Sequence, residues 1–89
     1  MDFEFNEEKA AANLKGQGVS FEEAATVFDD PLYVDFYDPA HSADEHRYII
    51  IGQSERGRLL LVSYAERDDT IRLISSREAT SMERKEYEE

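Results

Sequence analysis

The feature that most constrains this chain is a run of strand-like segments joined by very short connections. Segments 47–53, 59–65 and 70–76 are rich in β-branched and other apolar residues. The runs Glu55-Arg56-Gly57-Arg58 and Glu66-Arg67-Asp68-Asp69 separate them. Connections this short predict hairpins, because parallel neighbours need a crossover of a dozen or more residues. The C-terminal half is therefore predicted to form antiparallel neighbours in one sheet.

Two helix-forming stretches precede these strands. Residues 7–15 are mostly strong helix formers, and Gly16 and Gly18 follow where a helix would end. Ser20 begins a second helix, and Glu23 three residues later completes the pattern of a capping box. Apolar residues then recur at helical spacing until the first proline, which disfavours a helical residue before it. Two short consecutive helices are predicted.

The remaining elements complete a segregated order. A short strand is predicted around Phe3 and Phe5, another strand at 33–37, and a capping box of Thr80 with Glu83 predicts a C-terminal helix. The order β-α-α-β-β-β-β-α groups the strands together, which is typical of the α+β class with one antiparallel sheet packed against helices. The second face of the sheet is expected to be partly open to solvent or to a partner.

Length and residue usage exclude several classes of protein. The 89 residues suffice for a single domain, 1–89, with a modest core. The chain has no cysteine, which excludes disulfides, thiolate nucleophiles and cysteine-based zinc sites. The start of the chain is acidic rather than basic, and its longest apolar runs, 48–51 and 59–62, are far shorter than the ~20 residues of a membrane span. A soluble cytoplasmic protein without a membrane segment is expected.

The charge is strongly acidic but unevenly distributed. The formal net charge is −11 and the pI about 4.5, which argues against nucleic-acid binding when taken alone. No Lys or Arg lies between Gly16 and His46, whereas basic residues outnumber acidic ones between Arg47 and Lys85. Two interpretations stay open: the arginines keep exposed strands soluble, or they form a focused anion site within repelling surroundings.

Several stretches occur in the order found in one family of toxins. They are residues 9–15, 18–24, 27–31, 45–48 with 51–52, 60–64 and 72–79, followed by Glu83 and Tyr87. This ordered set covers nearly the whole chain and resembles the BrnT family of type II toxin–antitoxin systems. The resemblance implies a RelE-like fold, RNA cleavage and no cofactor. It also implies neutralisation by a BrnA-like antitoxin with a ribbon-helix-helix DNA-binding region, in a hetero-oligomer. A homodimer of the toxin alone stays open.

The chain departs from the family pattern in three places. Phe5-Asn6 stands where Trp-Asp is usual, Gln17 stands where the family has His, and the last residues are acidic where many members are basic. Two functional hypotheses therefore stand side by side. The first is a metal-independent endoribonuclease that cuts RNA through the 2′-OH and inhibits translation. The second is a catalytically weak or inactive module that binds a ribbon-helix-helix antitoxin.

Arginine is the residue type best suited to stabilise the extra charge on a phosphorane, because it stays charged and can fork onto two phosphate oxygens. Arg47, Arg72 and Arg77 are the predicted catalytic residues of this kind, conditional on the family resemblance. Glu83 is predicted first as a capping residue and second as a general base. Two of the arginines have a structural alternative: an ion pair of Arg47 with Glu45, and an ion pair of Arg77 with Glu83.

Strand alternation adds a prediction about faces. It places Arg72, Ile74 and Ser76 on one face, and it places His46 opposite Arg47. Lys9, Lys15 and Arg58 are the predicted RNA-binding residues, with solvated helix lysines as the favoured alternative for the first two. Packing is favoured over proton donation for Tyr87. His41 and His46 beside Asp38, Asp44 and Glu45 match no metal-ligand motif, so no metal is predicted.

Overall fold

A computed structural model describes residues 2–43 and 45–89 of the chain. The strands are β1 (Asp2–Glu4), β2 (Val34–Tyr37), β3 (Arg47–Gln53), β4 (Leu59–Arg67) and β5 (Thr70–Glu78). The α-helices are α1 (Glu7–Gln17), α2 (Phe21–Thr26) and α3 (Ser81–Glu88), and short 3₁₀ turns lie at Val27–Asp29 and Pro39–His41. The α+β class and the predicted order of elements are confirmed.

One five-stranded sheet organises the molecule, in the order β1-β5-β4-β3-β2. The β2–β3, β3–β4 and β4–β5 pairs are antiparallel, as the short connections predict. The prediction of a wholly antiparallel sheet needs one correction, because β1 runs parallel to β5. These two strands are separated by most of the chain, so no hairpin constrains their direction.

The helix ends follow the capping residues closely. Asn6 accepts a hydrogen bond from the Lys9 amide at the start of α1, and Gly18 ends that helix in the left-handed region at φ 72°. Thr80 and Glu83 form the complete capping box predicted for α3. At α2 only half of the predicted box is present: Ser20 caps the Glu23 amide, but the Glu23 carboxylate points elsewhere.

The main core lies between the sheet and the first two helices. Strand residues such as Ile50, Val62 and Leu73 meet Phe21 and other apolar side chains of the helical segment there. Aromatic rings extend this core in edge-to-face and stacked contacts. They are Phe3, Phe28, Tyr48, Tyr64 and Tyr37. Most of this face of the sheet is thereby covered.

The third helix covers only one end of the opposite face. It contacts β3, Glu83 pairs with Arg77, and the Tyr87 hydroxyl donates to Asp30 at 2.7 Å. Ile51 and Leu59, which the strand register places on this side, are buried. No helix covers the rest of this side, and we call the whole side the open face.

Candidate functional site

The open face carries three rows of side chains that run across the strands. The strand register pairs Arg47 with Ala65 and Ala65 with Arg72, so two arginines flank one small side chain. Their strands are separated by one intervening strand, which puts the two Cα atoms roughly 10 Å apart. The next row is Phe36, Ile49, Ser63 and Ser75, and the third is Val34, Ile51, Leu61 and Arg77.

A β-bulge brings the predicted arginines of β5 onto one face. Ser63 pairs with Ser75 and Tyr64 pairs with Leu73, so Ile74 is an extra residue in the ladder. Strict alternation would put Arg72 and Arg77 on opposite faces. The prediction that Arg72, Ile74 and Ser76 share a face is therefore wrong, because the extra residue inverts the alternation beyond it. Ser76 is buried towards the helices.

The Arg47–Arg72 row contains a carboxylate as well. Both oxygens of Glu45 accept hydrogen bonds from Nη2 of Arg72. The predicted alternative, a pair of Glu45 with Arg47, is not the pair that forms. Nε of Arg47 is buried and has no hydrogen-bond partner among the described residues. The row therefore combines one guanidinium that is paired with a carboxylate and one whose Nε has no partner among the described residues.

Arg77 lies about 13 Å along the sheet from the Arg47–Arg72 row, two steps of two residues each. It meets Glu83 in a forked pair, with N···O distances of 2.7 and 2.8 Å. Its hydrogen bonds, together with that from the Thr80 amide, lower the pKa of Glu83 to about 2. So low a pKa makes Glu83 a weak proton acceptor, and the geometry favours capping and pairing over the predicted role as general base.

A concave pocket of about 200 Å³ adjoins Arg77 at the edge of β5. It is lined by Asn13, Gln17, Leu61, Ser75, Ser76 and Arg77. Asn13 spans the edge of the strand, since its amide group bonds both the N–H and the C=O of Ser76. Gln17 thus stands beside Arg77 and Ser75. The position where the family pattern has histidine therefore borders the open face.

Arg58, predicted to bind RNA, forms an ion pair and hydrogen bonds within the protein. Its guanidinium contacts Glu23 through two nitrogens, with Nε–Oε2 at 3.0 Å, and donates to the carbonyl of Gly18. Ser54 donates to the same carboxylate at 2.7 Å. The Glu23 side chain is only 3% exposed. The Arg58 hydrogen bond is the largest cause of its lowered pKa.

The two predicted RNA-binding lysines differ in their placement. Both are exposed on α1. Lys9 precedes Asn13 by four residues and so shares the side of the helix that meets the edge of β5. Lys15 follows Asn13 by two residues, about 200° around the helix, and faces away. Of the two lysines, Lys9 is the one that faces the strand that carries Arg72 and Arg77.

The two histidines contact residues near β2 and not the arginines of the open face. His46 lies against the ring of Tyr37, on the side of the sheet opposite Arg47, as strand alternation predicts. His41 bonds Asp38 at 2.9 Å. Asp44, weighed as a possible metal ligand, lies outside the described residues. Within residues 2–43 and 45–89, no group of three potential metal ligands occurs.

Two residues of the open face were not predicted from the sequence. Glu45 was considered as a partner of Arg47 and among the possible metal ligands, but not as a partner of Arg72, because that contact spans 27 residues of chain. Arg67 is exposed and lies two residues beyond Ala65 on β4, which places it on the same face. The alternation of side chains along β4, continued from Ala65 to Arg67, could have placed Arg67 on the open face.

Comparisons with known proteins agree with this fold. A family profile described as "Ribonuclease toxin, BrnT, of type II toxin-antitoxin system" matches residues 5–83. The chain is also similar to the crystal structure of the Brucella abortus ribonuclease toxin BrnT, with a TM-score of 0.66 and 20% sequence identity. That match covers 91% of this chain and 99% of the Brucella chain. A search of curated protein sequences finds no match.

The α+β fold, with one sheet whose open face bears arginines, thus has the architecture of a small toxin of the type II toxin–antitoxin class. The chain belongs to the BrnT family of ribonuclease toxins. Among the described residues, no helix is long and apolar enough to cross a membrane.

Proposed function

We propose that this protein is a metal-independent endoribonuclease that cleaves RNA on its open face through the 2′-OH. It would inhibit translation in the cytoplasm and be held inactive by a BrnA-like ribbon-helix-helix antitoxin in a hetero-oligomer. The observation that carries the proposal is the row of Arg47, Ala65 and Arg72, with Arg77 on the same face. The small, buried side chain of Ala65 lies between the two arginines, and a phosphate would bind above it, between the two guanidinium groups.

The proposed chemistry uses these side chains for charge stabilisation and alignment. The 2′-oxygen attacks phosphorus as its proton leaves to solvent or to a nearby carboxylate, and the bond from phosphorus to the 5′-oxygen breaks as that oxygen gains a proton. The products are a 2′,3′-cyclic phosphate and a 5′-hydroxyl. Arg47 and Arg72 would neutralise the phosphorane, where preorganised donors have their largest effect. Arg77 and Lys9 would hold the flanking strand.

A second candidate function rests on a different observation. Arg72 and Arg77 are both paired with carboxylates, and the chain as a whole carries a net charge of −11. Such a surface suits a cationic protein partner better than it suits RNA. The alternative is therefore a catalytically weak module whose main role is to bind the antitoxin.

Cleavage of a defined single-stranded RNA by the purified protein tests the two functions. We expect products that end in a 2′,3′-cyclic phosphate, no loss of activity with EDTA, and no cleavage where the nucleotide at the cut is replaced by its 2′-deoxy form. The assay belongs at low salt, because phosphate contacts weaken steeply as salt rises. Intact RNA together with tight antitoxin binding would leave only the second function.

A variant pair assigns the cleavage to the open face. Replacing both Arg47 and Arg72 by Ala is expected to lower the rate by about 100-fold or more, the scale seen when one preorganised donor is lost. Lys85→Ala is the control for the loss of one positive charge, of which the double variant loses two. It also removes a positive charge, but Lys85 lies on the side of α3 away from Glu83 and the sheet. Equal losses in the two variants would contradict the assignment.

A further inference from the structure

The edge of the sheet formed by β2 has unpaired backbone groups and a high exposed fraction. β2 is the outermost strand and pairs only with β3, so half of its backbone N–H and C=O groups face outwards. It is also the strand with the largest exposed fraction, with three of its four residues exposed. The opposite edge is formed by β1, which has only three residues, and Asn13 occupies the backbone of β5 at Ser76.

Exposed apolar side chains concentrate at this edge. Six large apolar or aromatic side chains are exposed in the described part of the chain, and four of them lie at positions 32–37. Leu32 is 69% exposed, and Tyr33, Phe36 and Tyr37 are each more than 40% exposed. A cluster of this kind on a small protein is typical of an interaction surface. Phe36 and Tyr37 lie on opposite faces of the strand, so a strand paired here would contact one ring on each side.

The charge around β2 restricts what can bind. Asp29, Asp35 and Asp38 flank the apolar cluster, and no Lys or Arg occurs anywhere between Gly16 and His46. Two copies of this chain would bring these carboxylates together, and a charged edge of this kind opposes pairing with itself. A segment that alternates basic and apolar residues would instead satisfy the backbone, the rings and the carboxylates together.

We propose that β2 is a docking edge that takes an extended, cationic segment of a partner protein as an added sixth strand. The inference depends on the proposed toxin–antitoxin function only for the identity of that partner, the antitoxin. Phe36 lies in the same cross-strand row as Ile49, Ser63 and Ser75. A strand beside β2 would therefore place its own side chains at the border of the open face, where they can obstruct RNA.

A synthetic peptide of alternating Lys and Val residues, with a fluorescent label, is the probe. We expect saturable binding to the full-length protein by fluorescence anisotropy, and slower hydrogen exchange at the amides of Val34–Tyr37. The same peptide N-methylated at alternate residues along one edge should not bind, because it cannot form the ladder. A Glu-Val peptide should not bind either. Equal binding of the methylated peptide would show simple charge attraction and overturn the proposal.

Two matched variants test the position of the docking edge. Phe36→Ser should weaken peptide binding about two- to fivefold, the range expected for one cross-strand aromatic contact. Leu14→Ser removes a comparably exposed apolar side chain on α1 and should leave binding unchanged. Equal effects of the two variants, protection away from β2, or a dimer that buries β2 and excludes the peptide would each overturn the proposal.

The result is independent of ribonuclease activity. Peptide binding at β2 by a protein that leaves RNA intact would support the docking edge while contradicting the enzymatic proposal. RNA cleavage by a protein whose β2 amides gain no protection from hydrogen exchange on addition of the peptide would support the enzymatic proposal and contradict the docking edge.

Discussion

Arg58 and Arg72 both meet a glutamate, yet their surroundings give the two pairs different roles. Glu23, the partner of Arg58, is almost fully buried and also accepts from Ser54. Arg72 and Glu45 are 38% and 22% exposed and lie on the open face. Removing one member of a buried pair leaves an unpaired charge and lowers the free energy of unfolding strongly. In a more exposed pair, the arginine can exchange its carboxylate for a phosphate at little cost in stability. Burial of the carboxylate therefore separates structural arginines from candidate functional ones in this protein.

The largest expected effect is on the buried pair. Arg58→Ala leaves the Glu23 carboxylate buried without its main partner, and it should lower the free energy of unfolding by about 3–5 kcal/mol. Urea unfolding at neutral pH measures this change. The double replacement of Glu23 and Arg58 by Leu should cost less than Arg58→Ala alone, because no unpaired charge remains. A stable Arg58→Ala variant with weakened RNA binding would reverse the assignment of roles.

On the open face, the geometry of the guanidinium should matter more than its charge. Arg72→Lys keeps the positive charge but loses the planar fork that fits two phosphate oxygens. We expect about a tenfold drop in the cleavage rate, with unfolding changed by no more than about 1 kcal/mol, as for an exposed pair. Rates on saturating RNA and urea unfolding provide the two measurements. Full activity of Arg72→Lys would mean that charge alone suffices there.

The Arg77–Glu83 pair is as exposed as the Arg72–Glu45 pair, at 40% and 24%, and has a distinct pH signature. The folded pKa of Glu83 is about 2, below its ordinary value of 4.5. Its stabilisation is therefore fully present above about pH 4.5 and is lost as the pH falls towards 2. Glu83→Gln should be less stable than the natural protein by about 1 kcal/mol at pH 7, and the difference should shrink in acid.

Urea unfolding of both proteins between pH 2 and 7 tests this expectation. Comparing the two at each pH removes most of the effect of the overall negative charge, which both share. A difference that is constant over this range would show that the carboxylate of Glu83 contributes nothing through its charge. Glu86→Gln, at an exposed position on the same helix, is the control.

Features that depend on contacts between neighbouring residues could be predicted from the sequence, whereas features that depend on distant contacts could not. The capping box of Thr80 and Glu83, the hairpins and the order of elements depend on neighbouring residues, and these were predicted. The bulge at Ile74 depends on the register with β4, so alternation within β5 alone wrongly put Ser76 on the same face as Arg72. Likewise, the pattern of Ser20 and Glu23 predicted a capping box, but Arg58, 35 residues away, binds the carboxylate instead.

The smallest expected effect concerns Glu45, which shares the open face with the arginine row. Its carboxylate occupies the donors of Arg72 that a phosphate would use. Glu45→Gln removes that competing charge and should tighten RNA binding about two- to fivefold, since an exposed ion pair contributes at most about 1 kcal/mol. Titration of a non-cleavable 2′-deoxy analogue by fluorescence anisotropy measures this affinity without cleavage. Glu66→Gln, which removes an exposed carboxylate from the other side of β4, should change it less. Weaker binding by Glu45→Gln would show that this carboxylate orders Arg72 for RNA and does not compete with it. The exposed pair would then be as dependent on its glutamate as the buried one.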